Sequence, residues 1–304
     1  MQGLPKQTTA GEEDRKAPWN PFILPSNWYR LDHQLSPTKA IFSRQMEFFM
    51  APTPPFSLAG RTALVTGSST GLGKATAACL GKAGAKVALN YANNQARGEA
   101  ALAELREEGI TAELFRADVS DEASIDQLFT AIEGSLGPVD IVVANATPDQ
   151  PHATIENYDW DFYQQMLDFF VKSPYLLARR ALPSMKTRTH GRLINITSEV
   201  FHLGVHPFSA YVAAKGGQTG WSRSMAGELA PFGITVNMIA PGWIPVERHE
   251  KDPQEDKDAY LASIPMGRWG TPEDVGWAAA YFASDEAAFV TGQTIAVNGG
   301  TTRW

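Results

Sequence analysis

The 304-residue chain contains a single cysteine, Cys79. No disulfide can form within the chain, and in its apolar surroundings we expect Cys79 to be a small core residue. No stretch is apolar over the roughly 18 residues that a membrane-spanning helix needs. Positive charge is not in excess either, because the formal net charge is −7, which disfavours nucleic acid or anionic lipid as the main partner. These absences favour a cytoplasmic protein that binds neither nucleic acid nor membrane.

Regular hydrophobic patterning is missing from the first part of the chain. Residues 1–57 are rich in proline and polar residues and show no sustained period. The stretch 51–55 is typical of a semi-rigid linker. We therefore predict an N-terminal extension, largely irregular, over residues 1–57, and one folded domain over residues 58–304.

From residue 58 onward, short apolar segments alternate with amphipathic ones. The pattern predicts strands over 61–66, 86–91, 111–116, 139–144, 192–196, 234–239 and 294–297. Helices are expected over 94–108, 121–134, 210–230 and 271–284, the last beginning with Thr271 as N-cap, then Pro272 and Asp274. This alternation indicates an α/β fold with a doubly wound, mainly parallel sheet and helices on both faces.

A glycine-rich turn lies between the first strand and the first helix. Its first glycine permits a tight turn, and the others let the backbone approach a pyrophosphate. The helix N-terminus then presents free N–H groups to the phosphates. The turn predicts a dinucleotide site formed by Gly67, Ser69, Thr70, Gly71, Leu72 and Gly73.

Two further pairs of residues end strands at the same edge of the sheet. Asp118-Val119 follows the third strand, and its carboxylate fits either the adenine amino group or a turn or N-cap role. Asn145-Ala146 follows the fourth strand and lies beside the expected cofactor cleft. We expect both pairs to contact the cofactor.

The end of the second strand bears on the choice of cofactor. Folds that select NAD usually place Asp or Glu there to bind the ribose 2′-hydroxyl, whereas this strand ends with Asn90-Tyr91. No carboxylate would repel a 2′-phosphate, and Arg97 could reach it, although the turn after Gly67 carries no basic residue. NADP(H) is therefore favoured, and NAD(H) remains possible.

The strongest chemical signal is Tyr211 followed four residues later by Lys215, a spacing that places both on one helix face. The ordinary pKa of tyrosine, near 10, is poor for acid–base chemistry at neutral pH, and a nearby cation lowers it. Lys215 could also bind the nicotinamide ribose. Ser198 ends the preceding strand, where its hydroxyl could hold a substrate oxygen.

His202 and His206 are also four residues apart, but no third ligand is evident, so we expect no metal site.

Together these motifs resemble the short-chain dehydrogenase/reductase family over residues 58–304. The resemblance rests on Thr66–Gly73, Asp118, Asn145-Ala146, Ser198, Tyr211–Lys215, Asn237, Pro241-Gly242 and Val290–Gly300. It implies a single Rossmann-type domain with a seven-stranded parallel sheet and a homo-oligomer, either a tetramer or a dimer. It also implies hydride transfer between NAD(P) and a ketone or secondary alcohol, such as a 3-oxoacyl thioester or another small carbonyl compound.

The same resemblance assigns roles to individual residues. Tyr211 is expected to be the general acid/base, Ser198 to orient the substrate oxygen, and Lys215 to bind ribose and tune Tyr211. Pro241, Gly242 and Ile244 are expected to contact the cofactor, Ile244 through its backbone. The charged run 247–252 that follows fits a solvated loop or a lid over the substrate.

Three positions depart from the family pattern. Thr147 replaces a glycine, Val246 replaces a threonine, and Val171 stands where we place an asparagine that supports a water-mediated proton relay. Thr147 and Val171 motivate an alternative function, a dinucleotide-binding regulatory or scaffold protein with weak catalysis. The intact set of Ser198, Tyr211 and Lys215 argues against that alternative.

Overall fold

One seven-stranded sheet organises the domain. The structure is a computed structural model that describes residues 54–303, so nearly all of the predicted extension lies outside the described residues and its boundary stays a prediction. All strand pairs are parallel, in the order β3-β2-β1-β4-β5-β6-β7. The strands are β1 Thr62–Val65, β2 Lys86–Tyr91, β3 Ala112–Arg116, β4 Ile141–Ala144, β5 Gly191–Ile196, β6 Ile234–Pro241 and β7 Thr294–Val297. The predicted α/β fold is confirmed.

Helices connect these strands. They are α1 Gly71–Lys82, α2 Gln95–Glu107, α3 Glu122–Ser135, α4 Trp160–Leu167, α5 Ser173–Arg188, α6 Val200–Leu203, α7 Ser209–Leu229, α8 Gln254–Ser263 and α9 Pro272–Ala283. A π-helical turn, Asp168–Lys172, joins α4 to α5. The start of α9 is as predicted, because the side chains of Thr271 and Asp274 cap each other's backbone N–H groups. None of the helices between residues 54 and 303 is long and apolar enough to cross a bilayer.

Alternating side chains of each strand feed two separate hydrophobic cores. In β1, Ala63 and Val65 enter the core under α1 and α9, whereas Leu64 enters the core under α3, α5 and α7. Successive side chains of a strand point to opposite faces. A sheet that is apolar on both faces therefore needs helices on both, which is what this chain provides.

The strand order reverses between β1 and β4, and the carboxyl ends of these strands meet there. The Thr66 hydroxyl accepts hydrogen bonds from the backbone N–H of Asn145 (2.9 Å) and Ala146 (3.0 Å). Because ligands of doubly wound sheets bind at such a switch point, this edge is where the predicted site residues should converge.

Candidate active site

The glycine-rich turn packs so closely that two of its glycines cannot carry a side chain. Gly67 has a φ of 61°, and a Cβ there would lie 2.8 Å from Cα of Ala146. A Cβ on Gly73 would lie 2.3 Å from the carbonyl oxygen of Gly67. The backbone is thus left bare at the N-terminus of α1, which begins at Gly71. This cradle fits the pyrophosphate of a dinucleotide.

The buried side chain of Asn90 hydrogen-bonds to the backbone of the glycine-rich turn. Its side chain is 2% exposed, accepts a hydrogen bond from the Gly67 N–H (3.1 Å) and donates one to the Ala117 carbonyl (3.1 Å). Asn90 therefore ties the turn to the ends of β2 and β3. Its amide is engaged within the protein, so it shapes the cofactor cleft, while the next residue, Tyr91, is half-buried at the strand end.

Arg97 places a cation beside the turn. Its Nε donates to the hydroxyl of Ser69 at 3.3 Å. The side chain of Asn94 caps α2 by accepting from the Arg97 N–H at 3.0 Å, which fixes where Arg97 leaves the helix. The sequence could only suggest that Arg97 reaches this region, whereas the folded chain brings it to Ser69.

Asp118 is engaged in its own turn. Its Oδ1 accepts from the backbone N–H (2.8 Å) and the hydroxyl (2.7 Å) of Ser120. Val119 beside it is buried. The structure therefore shows the turn role that the sequence left open, and the contact to adenine stays a prediction.

Asn145 and Ala146 close the other side of the cleft. The Asn145 amide donates to the carbonyls of Thr66 (2.9 Å) and Gly67 (3.2 Å). These bonds lock the end of β4 onto the start of the glycine-rich turn. Both residues lie at the predicted edge, next to the phosphate cradle.

Ser198, Tyr211 and Lys215 come together as predicted from their spacing. Ser198 follows β5, and its side chain lies beside the Tyr211 hydroxyl, where it acts to lower the Tyr211 pKa. Tyr211 and Lys215 both lie on α7, and Lys215 Nζ donates to the carbonyl of Ile196 at 2.7 Å. The end of β5 thus fixes both partners of the tyrosine.

The environment of Tyr211 is more apolar than the sequence suggested. The ring centroids of Phe170 and Phe208 lie 5.2 and 4.8 Å from that of Tyr211, which is 8% exposed. Burial raises the pKa of Tyr211, although the charge of Arg248 and the hydrogen bond to Ser198 lower it. The expected lowering of this pKa is therefore wrong as a net effect, because enclosure by two aromatic rings disfavours the phenolate. Tyr211 carries its proton at neutral pH.

Lys215 is buried among neutral partners. It is 2% exposed, donates to Oε1 of Gln218 at 3.1 Å, and places Nζ 3.7 Å from the ring centroid of Phe170. Burial, with a further contribution from the charge of Arg248, lowers the pKa of Lys215 well below its ordinary value. Within residues 54–303 no carboxylate forms an ion pair with it. A carbonyl, an amide and an aromatic face contact its amino group, and they offset only part of the cost of burying an ammonium there.

Phe170 is the residue that packs on Lys215. The prediction that Val171 stands at the position of the family's relay asparagine is therefore wrong by one residue. Both lie in the π-helical turn Asp168–Lys172. Val171 points instead toward α7 at Gly217, where an added Cβ would lie 3.1 Å from Val171 Cγ2. A π turn holds one more residue than an α turn, so the facing side chain cannot be read from regular helical spacing.

The segment after β6 lies against the phosphate turn. Ile244 is 4% exposed and packs in the core under α9, and a Cβ on Gly71 would lie 3.4 Å from Val246. Burial raises the pKa of Glu247, but its own backbone N–H, the Thr70 side chain, the charge of Lys74 and the Gly71 backbone together outweigh this and lower it. The Pro241-Gly242 turn thus leads into a loop that covers the start of α1.

Comparison with known proteins gives the family of this chain. A family model described as enoyl-(acyl carrier protein) reductase matches residues 67–302. Nodulation protein G of Rhizobium sp. (strain N33) is 42% identical over 247 residues, which is 81% of this chain and 98% of that protein. The chain belongs to the short-chain dehydrogenase/reductase family. It is accordingly a nicotinamide-dependent oxidoreductase, as its sequence predicted.

Other members of this family are also similar. The 3-oxoacyl-[acyl-carrier-protein] reductase of Staphylococcus aureus (strain Mu50) is 35% identical, over 79% of this chain and 97% of that protein. A solved 3-oxoacyl (acyl-carrier-protein) reductase from Agrobacterium tumefaciens C58, with NADP bound, superposes with a TM-score of 0.76 at 33% identity, covering 83% of this chain and 98% of that one. A putative gluconate dehydrogenase from Agrobacterium tumefaciens gives a TM-score of 0.77 at 34% identity, covering 81% and 97%.

Motif reading missed three buried or half-buried residues of this edge. Gln218 bonds to Lys215, and Glu199 and Tyr260 bond to each other. A glutamine three residues after a motif lysine, or a glutamate after a motif serine, carries no signal in one sequence, because either is ordinary at an exposed position. Only the burial of these side chains makes them notable.

Proposed function

We propose that this chain is an NADP(H)-dependent reductase that converts the ketone of a 3-oxoacyl thioester to a secondary alcohol. The observation that carries the proposal is that Tyr211, enclosed by Phe170 and Phe208, shares helix α7 with Lys215 and lies beside Ser198. A tyrosine that keeps its proton is suited to donate it to a carbonyl oxygen, which is the acid step of ketone reduction. The names of the similar acyl-carrier-protein reductases support the acyl substrate.

The roles of the catalytic residues follow from their contacts. The Ser198 hydroxyl holds the substrate oxygen beside Tyr211, and Tyr211 donates its proton to that oxygen. Lys215, fixed by Ile196 and Gln218, binds ribose and places a positive charge near the new phenolate. When bound, the reduced nicotinamide supplies the hydride to the carbonyl carbon. Proton and hydride together convert the ketone to the alcohol.

The predicted cofactor residues would together form one binding cleft. The bare backbone of Gly67–Gly73 would hold the pyrophosphate, Asp118-Val119 the adenine, and Asn145-Ala146 with Ile244 the nicotinamide side. NADP(H) is favoured because Arg97 lies beside Ser69, where its cation could bind a 2′-phosphate, and because Asn90 brings no carboxylate. The NADP-bound relative supports the same choice.

A homo-oligomer, tetramer or dimer, is part of the proposal. Ten large apolar side chains on the described surface are exposed, among them Trp160 (68%), Trp277 (50%) and Phe289 (fully). Aromatic residues are enriched in subunit interfaces, so we expect some of these side chains to lie in such contacts. Light scattering after size exclusion would give the number of subunits.

The test is a reduction assay, run with NADPH and with NADH, on a panel of carbonyl compounds. We expect oxidation of NADPH with an acetoacetyl thioester to be faster than with simple ketones or keto sugars. NADPH should bind more tightly than NADH, and Arg97→Gln should reduce that preference at least about tenfold, or about 1.4 kcal/mol. Tighter NADH binding would reject the cofactor assignment. Tight NADPH binding without turnover on the whole panel would instead favour the scaffold alternative.

A further inference from the structure

A buried carboxylate next to Ser198 has no part in the proposed chemistry. Glu199 is 3% exposed, and no cation of residues 54–303 forms an ion pair with it. Burying a carboxylate costs free energy unless hydrogen bonds stabilise the charge. The groups that donate to Glu199 therefore indicate what it does.

Two donors from distant parts of the chain converge on Glu199. Oε1 accepts from the Tyr260 hydroxyl, and Oε2 accepts from Nδ2 of Asn298 at 2.8 Å. Tyr260 lies on α8, and Asn298 directly follows β7. An ionised carboxylate has acceptors only, so it serves both donors at once, whereas an amide side chain in the same orientation could serve just one. A glutamine could keep both contacts only by donating its own N–H to the Tyr260 hydroxyl, which would displace the hydroxyl proton from its partner.

The hydroxyl of Tyr260 extends this connection to the cofactor loop. It accepts from the Trp243 N–H at 2.8 Å, and a Cβ on Gly242 would lie 2.5 Å from it. Glycine at 242 is therefore needed for Tyr260 to approach the backbone. Since Trp243 precedes Ile244, Glu199 is connected through Tyr260 to the loop proposed to contact the nicotinamide side.

Helix α8 has little else to hold it. None of the residues in Gln254–Ser263 is buried. The ring of Tyr260 stacks on Trp269 (centroids 5.7 Å apart) and meets Trp243 edge-on at 5.4 Å. The aromatic contacts alone would let the Tyr260 ring shift along its neighbours, whereas the two hydrogen bonds of its hydroxyl fix α8 in one position. A helix without buried residues should loosen when those bonds are lost.

We propose that Glu199 is a positioning residue that, through Tyr260, holds α8 and the loop Gly242–Ile244 ready for cofactor and substrate. Its effect on turnover rests on the proposed function. Its effect on α8 and the loop does not, because the hydrogen bonds exist without substrate. The two consequences can therefore be measured separately.

The test combines hydrogen–deuterium exchange with NADPH titration on Glu199→Gln and Tyr260→Phe. Ser263→Ala is the matched control, because its hydroxyl lies on the same helix and donates to the Tyr260 carbonyl at 2.6 Å without contacting Glu199. In both test variants we expect amide exchange over 243–249 and 254–263 to be at least tenfold faster, with α1 and α3 unchanged. The Kd for NADPH should rise about tenfold, or about 1.4 kcal/mol, while the control matches wild type.

Turnover gives an independent arm. With NADPH saturating, kcat should stay within about threefold of wild type while KM rises, because the acid and its partners are untouched. If Glu199→Gln does not fold, Tyr260→Phe at its half-buried position decides alone. Wild-type exchange in both segments of Tyr260→Phe, or faster exchange throughout the sheet, would overturn the proposal. Failure of wild type to bind NADPH would refute the proposed function and leave the exchange arm to decide.

Discussion

The charged groups at the amino ends of the strands and those at the carboxyl ends have opposite kinds of partners. At the amino edge, Asp140 forms an ion pair with Arg188, and Arg192 forms one with Asp285. At the carboxyl edge, Lys215 is surrounded by a carbonyl, an amide and an aromatic ring. The first arrangement neutralises charge within the protein, and the second leaves it for a ligand.

The amino-edge cluster is densely bonded. Asp140 also accepts from the Thr62 N–H at 2.9 Å, and Arg188 donates to the Val139 carbonyl at 2.8 Å. Arg192, 2% exposed, donates to the carbonyl of Ser284. These bonds join the starts of β1, β4 and β5. Changes there should therefore reduce stability, whereas changes at the carboxyl edge should reduce activity.

The largest expected effect comes from breaking the amino-edge pair. Asp140→Ala would remove the buried carboxylate that pairs with half-buried Arg188 and accepts from the Thr62 N–H. We expect a loss of about 3 kcal/mol, the lower end for breaking a buried pair. Urea unfolding measures it, with kcat per folded molecule expected to be unchanged. The control is Glu108→Gln, which breaks an exposed pair with Lys82 and should cost less than about 1 kcal/mol. Equal losses in the two variants would contradict the comparison.

Acid should weaken the same edge through His190. Burial, followed by the charges of Arg192 and Arg61, lowers the pKa of His190 from 6.5 to about 4. As pH falls, the unfolded chain takes up this proton first, so stability is complete above about pH 6.5 and declines until about pH 4. The shift corresponds to about 3 kcal/mol. The unfolding free energy of His190→Gln should lack this component, and parallel pH curves for variant and wild type would argue against it.

At the carboxyl edge the expected loss is in turnover. Tyr211→Phe keeps the ring between Phe170 and Phe208 but removes the acid, so kcat should fall at least about 100-fold. The melting temperature and the affinity for NADPH should change little. Tyr163→Phe makes the same chemical change at a half-buried tyrosine that bonds to Ser209, and its kcat should stay near wild type. A Tyr211→Phe enzyme with normal turnover would exclude the mechanism.

The smallest expected effect tests whether Phe170, and not Val171, is the residue that contacts Lys215. Phe170→Leu keeps an apolar side chain but removes the aromatic face, which is worth about 1 kcal/mol to a nearby ammonium. The apparent pKa on the alkaline side of the kcat profile should therefore fall by about half a unit or more. Val171→Asn should leave that pKa unchanged, because Val171 faces Gly217. Equal shifts in the two variants would restore the original placement of Val171.

Much of the active edge follows from local sequence. The glycine-rich turn, Asn145-Ala146 and the triad of Ser198, Tyr211 and Lys215 all lie where strand–helix alternation and residue spacing predict. The sign of the Tyr211 pKa shift does not follow, because it depends on how deeply the folded chain buries the ring. That burial involves Phe170, which comes from the separate π-helical turn. Phe170 was missed for a related reason, since a π turn interrupts the regular spacing that places side chains in a helix.

The sequence by itself determined the parallel fold, the phosphate turn and the Tyr–Lys face, because each depends on residues close together in the chain or on a repeating pattern. Only the tertiary structure decided which side chains surround Lys215, that Arg97 reaches Ser69, and that Glu199 bonds to Tyr260 and Asn298. Those contacts join residues 28, 61 and 99 positions apart. The physical reason is that burial and partner choice arise when the strands assemble, and no local pattern encodes which distant donor meets a given acceptor.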